Sequence, residues 1–208
     1  MSGGEKKAVR TVIDGREYEF AEGTTILEAA RSVGIQIPHY CYHPGLSIAG
    51  ACRMCLVEIE KMPKLQISCY MTVADGMAVH TDTERVKRAR KAILEFHLVN
   101  HPVDCPVCDQ AGECGLQEYY MLHGLYVSRL KENKVRKSKK AFQIGPEIML
   151  DQERCILCSR CVRFCREVSR SHELGMFKRG DRSVIDTFSG QQVDNPYAGN
   201  VVDICPVG

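Results

Sequence analysis

Twelve cysteines in 208 residues limit this chain more than any other feature, because they fall into three groups. Cys41, Cys52, Cys55 and Cys69 come first, then Cys105, Cys108 and Cys114, then Cys155, Cys158, Cys161, Cys165 and Cys205. The opening residues MSGGEKKAVR carry neither the apolar core of a secretory signal nor the Arg/Ser-rich character of a transit peptide, so the expected location is cytoplasmic. Thiols in that reducing compartment do not persist as disulfides, which leaves metal binding as the leading reading. With 44% hydrophobic and 26% charged residues, the chain is too apolar for disorder and too evenly charged for a membrane protein. The apolar stretch 144–150 is interrupted by Pro146 and Glu147 and falls short of the roughly 20 residues a transmembrane helix needs, so no direct membrane span is expected. A formal charge of +2 gives no broad field for nucleic acid.

Around the cysteines, short strands and helices are expected. Residues 9–13 and 17–20 flank the turn Asp14-Gly15 as a hairpin. Thr25 and Glu28 stand at capping-box spacing, and Ile26, Leu27, Ala29, Ala30 and Val33 supply an apolar helix face that stops at Gly34. Residues 41–55 have the Pro/Gly content of a loop, with Gly45 and Gly50 where backbone passes close to something; 56–60, 65–68 and 77–80 read as short strands. Val86, Ala89, Ile93 and Phe96 recur at helical spacing over 83–99, with Pro102 beyond the end, and 116–122 reads as a second short helix. Residues 129–140 hold seven basic residues and one acidic one, a run expected to be a solvated linker.

The first group reads C-x10-C-x2-C-x13-C, and four thiolates suit a [2Fe-2S] cluster. A close pair with a remote fourth ligand is similar in kind to a plant-type ferredoxin, but the first gap is x10 where that family has x4. Cys41-Tyr42-His43 offers a Rieske-like Cys-x-His step, yet no second histidine accompanies Cys52 and Cys55. A four-thiolate zinc site is the structural alternative, although zinc sites usually pair two close couplets and this group has one. The third group begins C-x2-C-x2-C, the run that wraps a [4Fe-4S] cube because three thiolates on one tight loop reach three corner irons. Its fourth ligand is Cys165 or Cys205. In two-cluster bacterial ferredoxins the x3 cysteine followed by Pro ligates the other cluster; here Arg166 follows Cys165 and Pro206 follows Cys205, which favours Cys205 and leaves Cys165 as a buried spare thiol on the helix of Val162 and Phe164. The middle group, C-x2-C-x5-C, needs one more ligand, with His101 and His97 as rivals. Eleven cysteines and one histidine fill three sites of four, and so do twelve cysteines with Cys165 lent to the middle group; arithmetic does not choose.

The stretches CYHPGLSIAGACRMCLVEIE, NHPVDCPVCDQAGECGLQ, ERCILCSRCVRFC and NPYAGNVVDICPVG closely resemble the N-terminal iron-sulfur region of the G-type subunit of NADH-quinone oxidoreductase, the large iron-sulfur subunit of respiratory complex I. The resemblance implies a [2Fe-2S] cluster on Cys41, Cys52, Cys55 and Cys69. It implies one [4Fe-4S] cluster on His101, Cys105, Cys108 and Cys114, and another on Cys155, Cys158, Cys161 and Cys205, leaving Cys165 unassigned. The implied fold class is α+β. A ferredoxin-like β-grasp [2Fe-2S] domain is expected at 1–82, a helical segment with one His and three Cys ligands at 83–126, a basic linker at 127–148 and a bacterial-ferredoxin-like [4Fe-4S] module at 149–208. Family members usually continue past CPVG into a molybdopterin-oxidoreductase-like domain, whereas this sequence stops at Gly208.

Neither G-x-G-x-x-G nor G-x-x-x-x-G-K-[ST] occurs, so the chain has no expected nucleotide site and no catalytic residue of its own. The resemblance implies an oxidoreductase subunit that takes electrons from a flavin-bearing, NADH-oxidising subunit. It would pass them to a membrane-proximal iron-sulfur subunit and on to quinone, in the peripheral arm on the cytoplasmic face of the inner membrane. The [2Fe-2S] cluster would receive the electron, the all-Cys cube carry it and the His-ligated cube deliver it. The equivalent relay subunit of an NAD-linked hydrogenase or formate dehydrogenase shares this cysteine plan. A third reading is a zinc-stapled module that holds nucleic acid with the 129–140 run and Tyr119, Tyr120 and Tyr126.

Overall fold

A computed structural model describes residues 7–208; six of the ten residues read above for a leader lie outside that range. The chain divides into two units, one running to His39 and again from Gly50 to Ile93, the other comprising Tyr40–Ala49 and Leu94–Gly208.

In the first unit, β1 (Ala8–Ile13) and β2 (Arg16–Ala21) form the hairpin that the sequence predicts. Asp14 and Gly15 turn with φ of 47° and 81°, the left-handed pair that a tight hairpin requires. Along β1, Val9, Thr11 and Ile13 are buried while Ala8 and Arg10 are exposed, the period of two expected of a strand with one face on a core. α1 (Ile26–Ser32) starts where Thr25 accepts the Glu28 N–H at 3.3 Å, and it buries Ile26, Leu27, Ala29 and Ala30. β3 (Leu56–Ile59), β4 (Gln66–Ile67) and β5 (Met77–His80) complete a five-stranded sheet ordered β2-β1-β5-β3-β4. β5 lies parallel to β1, and the other pairings are antiparallel. Asp14 fastens the end of β1 to that of β5, accepting Thr81 N–H at 2.7 Å and Thr81 Oγ1–H at 2.6 Å. This mixed sheet with one helix is the expected β-grasp arrangement.

α2 (Glu84–Leu98) has the predicted extent, and of its predicted apolar positions Val86 is buried, Ala89 and Ile93 are half-buried and Phe96 departs. Val86, Arg90 and Leu94 are buried, at i, i+4 and i+8, whereas Phe96 is 81% exposed. Arg90 occupies the position that a polarity pattern assigns to solvent, and its Nη2 donates to Leu56 O at 3.4 Å.

The second unit holds a 3₁₀ turn at Cys105–Val107, α3 (Gly115–His123), the hairpin β6 (Ala141–Gln143) with β7 (Met149–Asp151), α4 (Arg160–Glu167), the hairpin β8 (Leu174–Phe177) with β9 (Val184–Thr187), and α5 (Asn200–Asp203). One apolar cluster joins Leu46, Ile144, Phe164, Cys165, Ile185 and Val193. The 129–140 run has no buried residue, as expected of a solvated segment, and several of its basic side chains find partners there. Arg129 pairs with Glu95, Arg136 and Lys140 with Glu153, and Lys139 with Asp186, while Lys134 donates to the carbonyls of Leu98 and His101. Few apolar residues do not make a segment free when carboxylates and helix-end carbonyls supply partners.

Candidate metal centres

Cys52, Cys55 and Cys69 belong to the first unit, each 7% exposed or less. β3 and β4 set Cys55 and Cys69 beside one another: the Cys55 carbonyl accepts both Ser68 N–H at 3.1 Å and Ser68 Oγ–H at 2.8 Å, and Ser68 is fully buried. Gly50, two residues before Cys52, has φ of 61°, and a Cβ there would stand 3.2 Å from Ile67 Cδ1, so the loop is tight at this point. Gly45 is under no such constraint; a Cβ there would make ordinary contact with the His43 ring, whose Nδ1 accepts Gly45 N–H. Cys41 is 1% exposed and lies in the Tyr40–Ala49 loop of the second unit.

That loop is fastened to α4. Arg160 donates to Tyr42 O at 2.6 Å, Arg163 to the carbonyls of Cys41 and Ser47, and Glu167 accepts Ser47 N–H at 2.8 Å and Ser47 Oγ–H at 2.5 Å. Cysteine spacing assigned these arginines no role, although Arg160 lies between Cys158 and Cys161 and Arg163 just after them.

Cys155, Cys158, Cys161 and Cys205 stand together. Cys161 feels the charge of the other three, and Cys155 that of Cys158 and Cys205. Leu157 and Ser159 adopt left-handed conformations with φ of 56° and 59°, which coils residues 155–161 inward and turns main-chain N–H groups toward sulfur. Leu157 N–H meets Cys155 Sγ at 3.4 Å. Desolvation pushes the Cys155 thiol up to about 12 and the Cys205 thiol to about 11, and it raises Cys158 and Cys161 as well. Cys205 is exposed as a residue, yet its sulfur stands among enough protein atoms to lose much of its hydration. Four desolvated thiols in one place disfavour thiolate in the absence of a cation, and a bound iron core removes that penalty. The donor set therefore fits an iron-sulfur cluster. Cys165 points elsewhere: it is fully buried in the apolar cluster, with Ser169 and Ser171 as its polar neighbours.

The middle group forms a turn, with Cys108 N–H bonded to Cys105 O at 3.1 Å and Cys114 capping α3. The CPVG tail packs on it. Gly115 N–H bonds Pro206 O at 2.9 Å, and a Cβ on Gly208 would fall 2.3 Å from Cys108 Sγ. His101 stands near this turn, its pKa lowered to about 4 by desolvation first and then by the charge of Lys134, so the imidazole is neutral as a ligand must be. Its Nδ1 accepts the N–H of Val103, a β-branched residue held at φ of 55°. In the neutral ring that hydrogen bond leaves the proton on Nε2, so ligation through Nε2 requires the proton to move or leave. The rival His97 instead presents its ring to Tyr40, centroids 5.1 Å apart in an edge-on arrangement.

Among the described residues, no three His, Cys, Asp or Glu side chains converge on a single-ion position, and no disulfide joins any two cysteines. No helix among them is long and apolar enough to cross a membrane.

Three family profiles match consecutive parts of the chain: a 2Fe-2S iron-sulfur cluster binding domain at residues 6–84, an NADH-ubiquinone oxidoreductase-G iron-sulfur binding region at 90–129, and an NADH-quinone oxidoreductase subunit 3, ferredoxin-like domain at 145–208. The G-type subunit of NADH-quinone oxidoreductase from Rickettsia bellii is 48% identical over 200 residues, 96% of this chain and 29% of the relative. The NADH-ubiquinone oxidoreductase 75 kDa subunit of Reclinomonas americana is 49% identical over 200 residues, covering 96% of this chain and 29% of its own length. This chain thus spans somewhat under a third of these relatives. A chain in the crystal structure of an NAD+-reducing [NiFe]-hydrogenase in the H2-reduced state superposes with a TM-score of 0.84 at 32% identity, covering 96% of this chain and 85% of that one. The fold, the cysteine-bearing loops and these likenesses agree: 96% of the chain is similar to part of the G-type iron-sulfur subunit of NADH-quinone oxidoreductase, and residues 90–129 and 145–208 match iron-sulfur domain families of that oxidoreductase.

Proposed function

We propose that the chain is an electron relay with one [2Fe-2S] site at Cys41, Cys52, Cys55 and Cys69, one [4Fe-4S] site at His101, Cys105, Cys108 and Cys114, and one [4Fe-4S] site at Cys155, Cys158, Cys161 and Cys205. Iron-sulfur clusters supply one-electron transfer without bond formation to a substrate. The protein's part is to hold the thiolates, exclude water and fix the charges around them. The observation that carries this reading is the gathering of Cys155, Cys158, Cys161 and Cys205 on an inward-coiled loop while Cys165 turns into the apolar core. The middle loop and the CPVG tail lie in contact through Gly208 and Cys108, which supports a continuous path between the two cubes.

In this reading the chain serves NADH:quinone oxidoreduction in complex I, with a flavin-bearing NADH-oxidising subunit as donor and a membrane-proximal iron-sulfur subunit as acceptor. Its place is the peripheral arm on the cytoplasmic face of the inner membrane. The likeness to a chain of an NAD+-reducing hydrogenase, at 85% coverage of that chain, favours a second reading in which the same relay serves a hydrogenase.

Iron, labile sulfide and zinc analysis of anaerobically purified protein tests the relay, together with electron paramagnetic resonance of the reduced sample. About ten irons, the sum of one [2Fe-2S] and two [4Fe-4S] cores, is the expected result. Zinc without iron and without resonance signals overturns it. Co-purification with a quinone-reducing or a hydrogen-oxidising activity separates the two assemblies.

A further inference from the structure

Arg163 lies on the buried face of α4 and is 4% exposed. Its guanidinium bonds three peptide carbonyls and one hydroxyl of the second unit. Nη2 donates to the carbonyl oxygens of Cys41 and Cys158, the latter at 3.3 Å, while Nη1 donates to Ser47 O and Nε to Ser159 Oγ at 3.3 Å. All four acceptors are neutral oxygens, so none of these bonds cancels its charge. A desolvated guanidinium in such surroundings is costly unless negative charge lies close by. Sulfur is among the nearby ionisable groups, Cys158 being influenced by the charges of Arg163 and Arg160 and also by that of Cys41, and the carboxylate of Glu167 bonds Ser47 on the other side. Arg160 repeats the pattern, donating to Tyr42 O at 2.6 Å and to Ile204 O at 3.4 Å, one residue from Cys41 and one from Cys205. A planar fork of donors can hold two carbonyls at once, which a lysine ammonium does less well.

We propose that Arg163 is a positioning residue that joins the Cys41 and Cys158 peptides in one hydrogen-bonded bridge and, by its fixed charge, raises the reduction potentials of the two centres these cysteines serve. The inference rests on the site assignment above. Reduction makes a thiolate-bound centre more negative, and a buried cation beside it favours the reduced form. The bridge also keeps the two ligand peptides at a fixed separation, which steadies the path between them.

The test is a redox titration followed by electron paramagnetic resonance on the full 208-residue chain, purified anaerobically, as parent, R163K and R163Q. Iron-replete R163Q is expected to show lower midpoints for the [2Fe-2S] and the all-Cys [4Fe-4S] centre and an unchanged midpoint for the His101 centre. R163K, which keeps the charge and loses the fork, is expected to shift the same two midpoints less while altering their line shapes. Unmoved midpoints in iron-replete R163Q, or an equal shift of all three, overturn the proposal. Should R163Q fail to retain iron, R163K decides: loss or alteration confined to those two centres supports the bridge, and parent-like signals or loss of all three overturn it. A parent chain without iron and labile sulfide brings down the site assignment and the Arg163 role together. An iron-replete parent with unmoved variants brings down the Arg163 role alone.

Discussion

Arg154 closes a double hydrogen bond on Asp104, with Nε 3.2 Å from Oδ1 and Nη2 3.0 Å from Oδ2. Each residue immediately precedes a cysteine, Arg154 before Cys155 and Asp104 before Cys105, so the pair fastens the middle loop to the third. Arg154 also donates to Val107 O at 3.4 Å, at the end of the 3₁₀ turn. D104N keeps the shape but removes the charge and one acceptor, and it is expected to cost about 1–2 kcal/mol. The check is chelator challenge with resonance detection, in which the His101 centre is lost faster than in the parent.

Glu167 ties the Tyr40–Ala49 loop to α4, and its pKa is pushed down to about 2, first by the Ser47 hydroxyl, then by Ser47 N–H and Arg166. A depressed carboxyl contributes stability that is complete above its unfolded value of about 4.3 and is lost as pH falls through the folded value. E167Q is therefore expected to be less stable than the parent at neutral pH and to converge with it as pH drops toward about 2. A stability gap between the two that stays constant over that range would contradict the assignment.

Gly145 has no room for a side chain: a Cβ would lie 2.1 Å from the Val193 carbonyl oxygen, and Val193 is fully buried. The obstacle is backbone, held by Val193 N–H on Ile144 O at 2.9 Å. G145A is expected to destabilise the chain by about 1–3 kcal/mol through overpacking. Circular dichroism during urea unfolding would report it as a lower midpoint.

Cys165 and Cys205 separate by environment. C165S is expected to keep the full iron content of the parent, because that thiol sits in the apolar cluster beside Ser169 and Ser171. C205S is expected to remove or convert only the centre of Cys155, Cys158 and Cys161. Iron counting and resonance spectra on both variants decide it, and loss of a cube in C165S would sink the ligand count.

Local patterns were legible wherever one short segment carried its own instructions. The turn at Asp14-Gly15, the Thr25 cap and the extent of α2 each depend on neighbours within a few residues. The inward face of α2 was legible only in part: Val86 is buried and Ala89 and Ile93 are half-buried as spacing implies, whereas the fold buries Arg90 against a strand carbonyl and leaves Phe96 outside. A buried arginine defeats a polarity pattern because its partner is remote in sequence. The 129–140 run has no buried residue, as its charge density implies; what the sequence did not show is its acceptors, Glu95, Glu153, Asp186 and the carbonyl end of α2.

The sequence by itself determined the three thiol groups, the candidate cluster types of the first and third, and the strand, strand, helix order that opens the chain, since loop spacing and period are properties of contiguous chain. Pro206 after Cys205 and Arg166 after Cys165 favoured Cys205 in the sequence, and the tertiary structure supplied the surroundings of each thiol. It brought Cys205 to the Cys155–Cys161 loop across 43 intervening residues and turned Cys165 into the core. It also placed Arg163 on the peptides of Cys41 and Cys158 and Arg154 on Asp104. Charges that act through space on distant partners leave no periodic trace in a sequence, so those contacts existed only once the chain was folded.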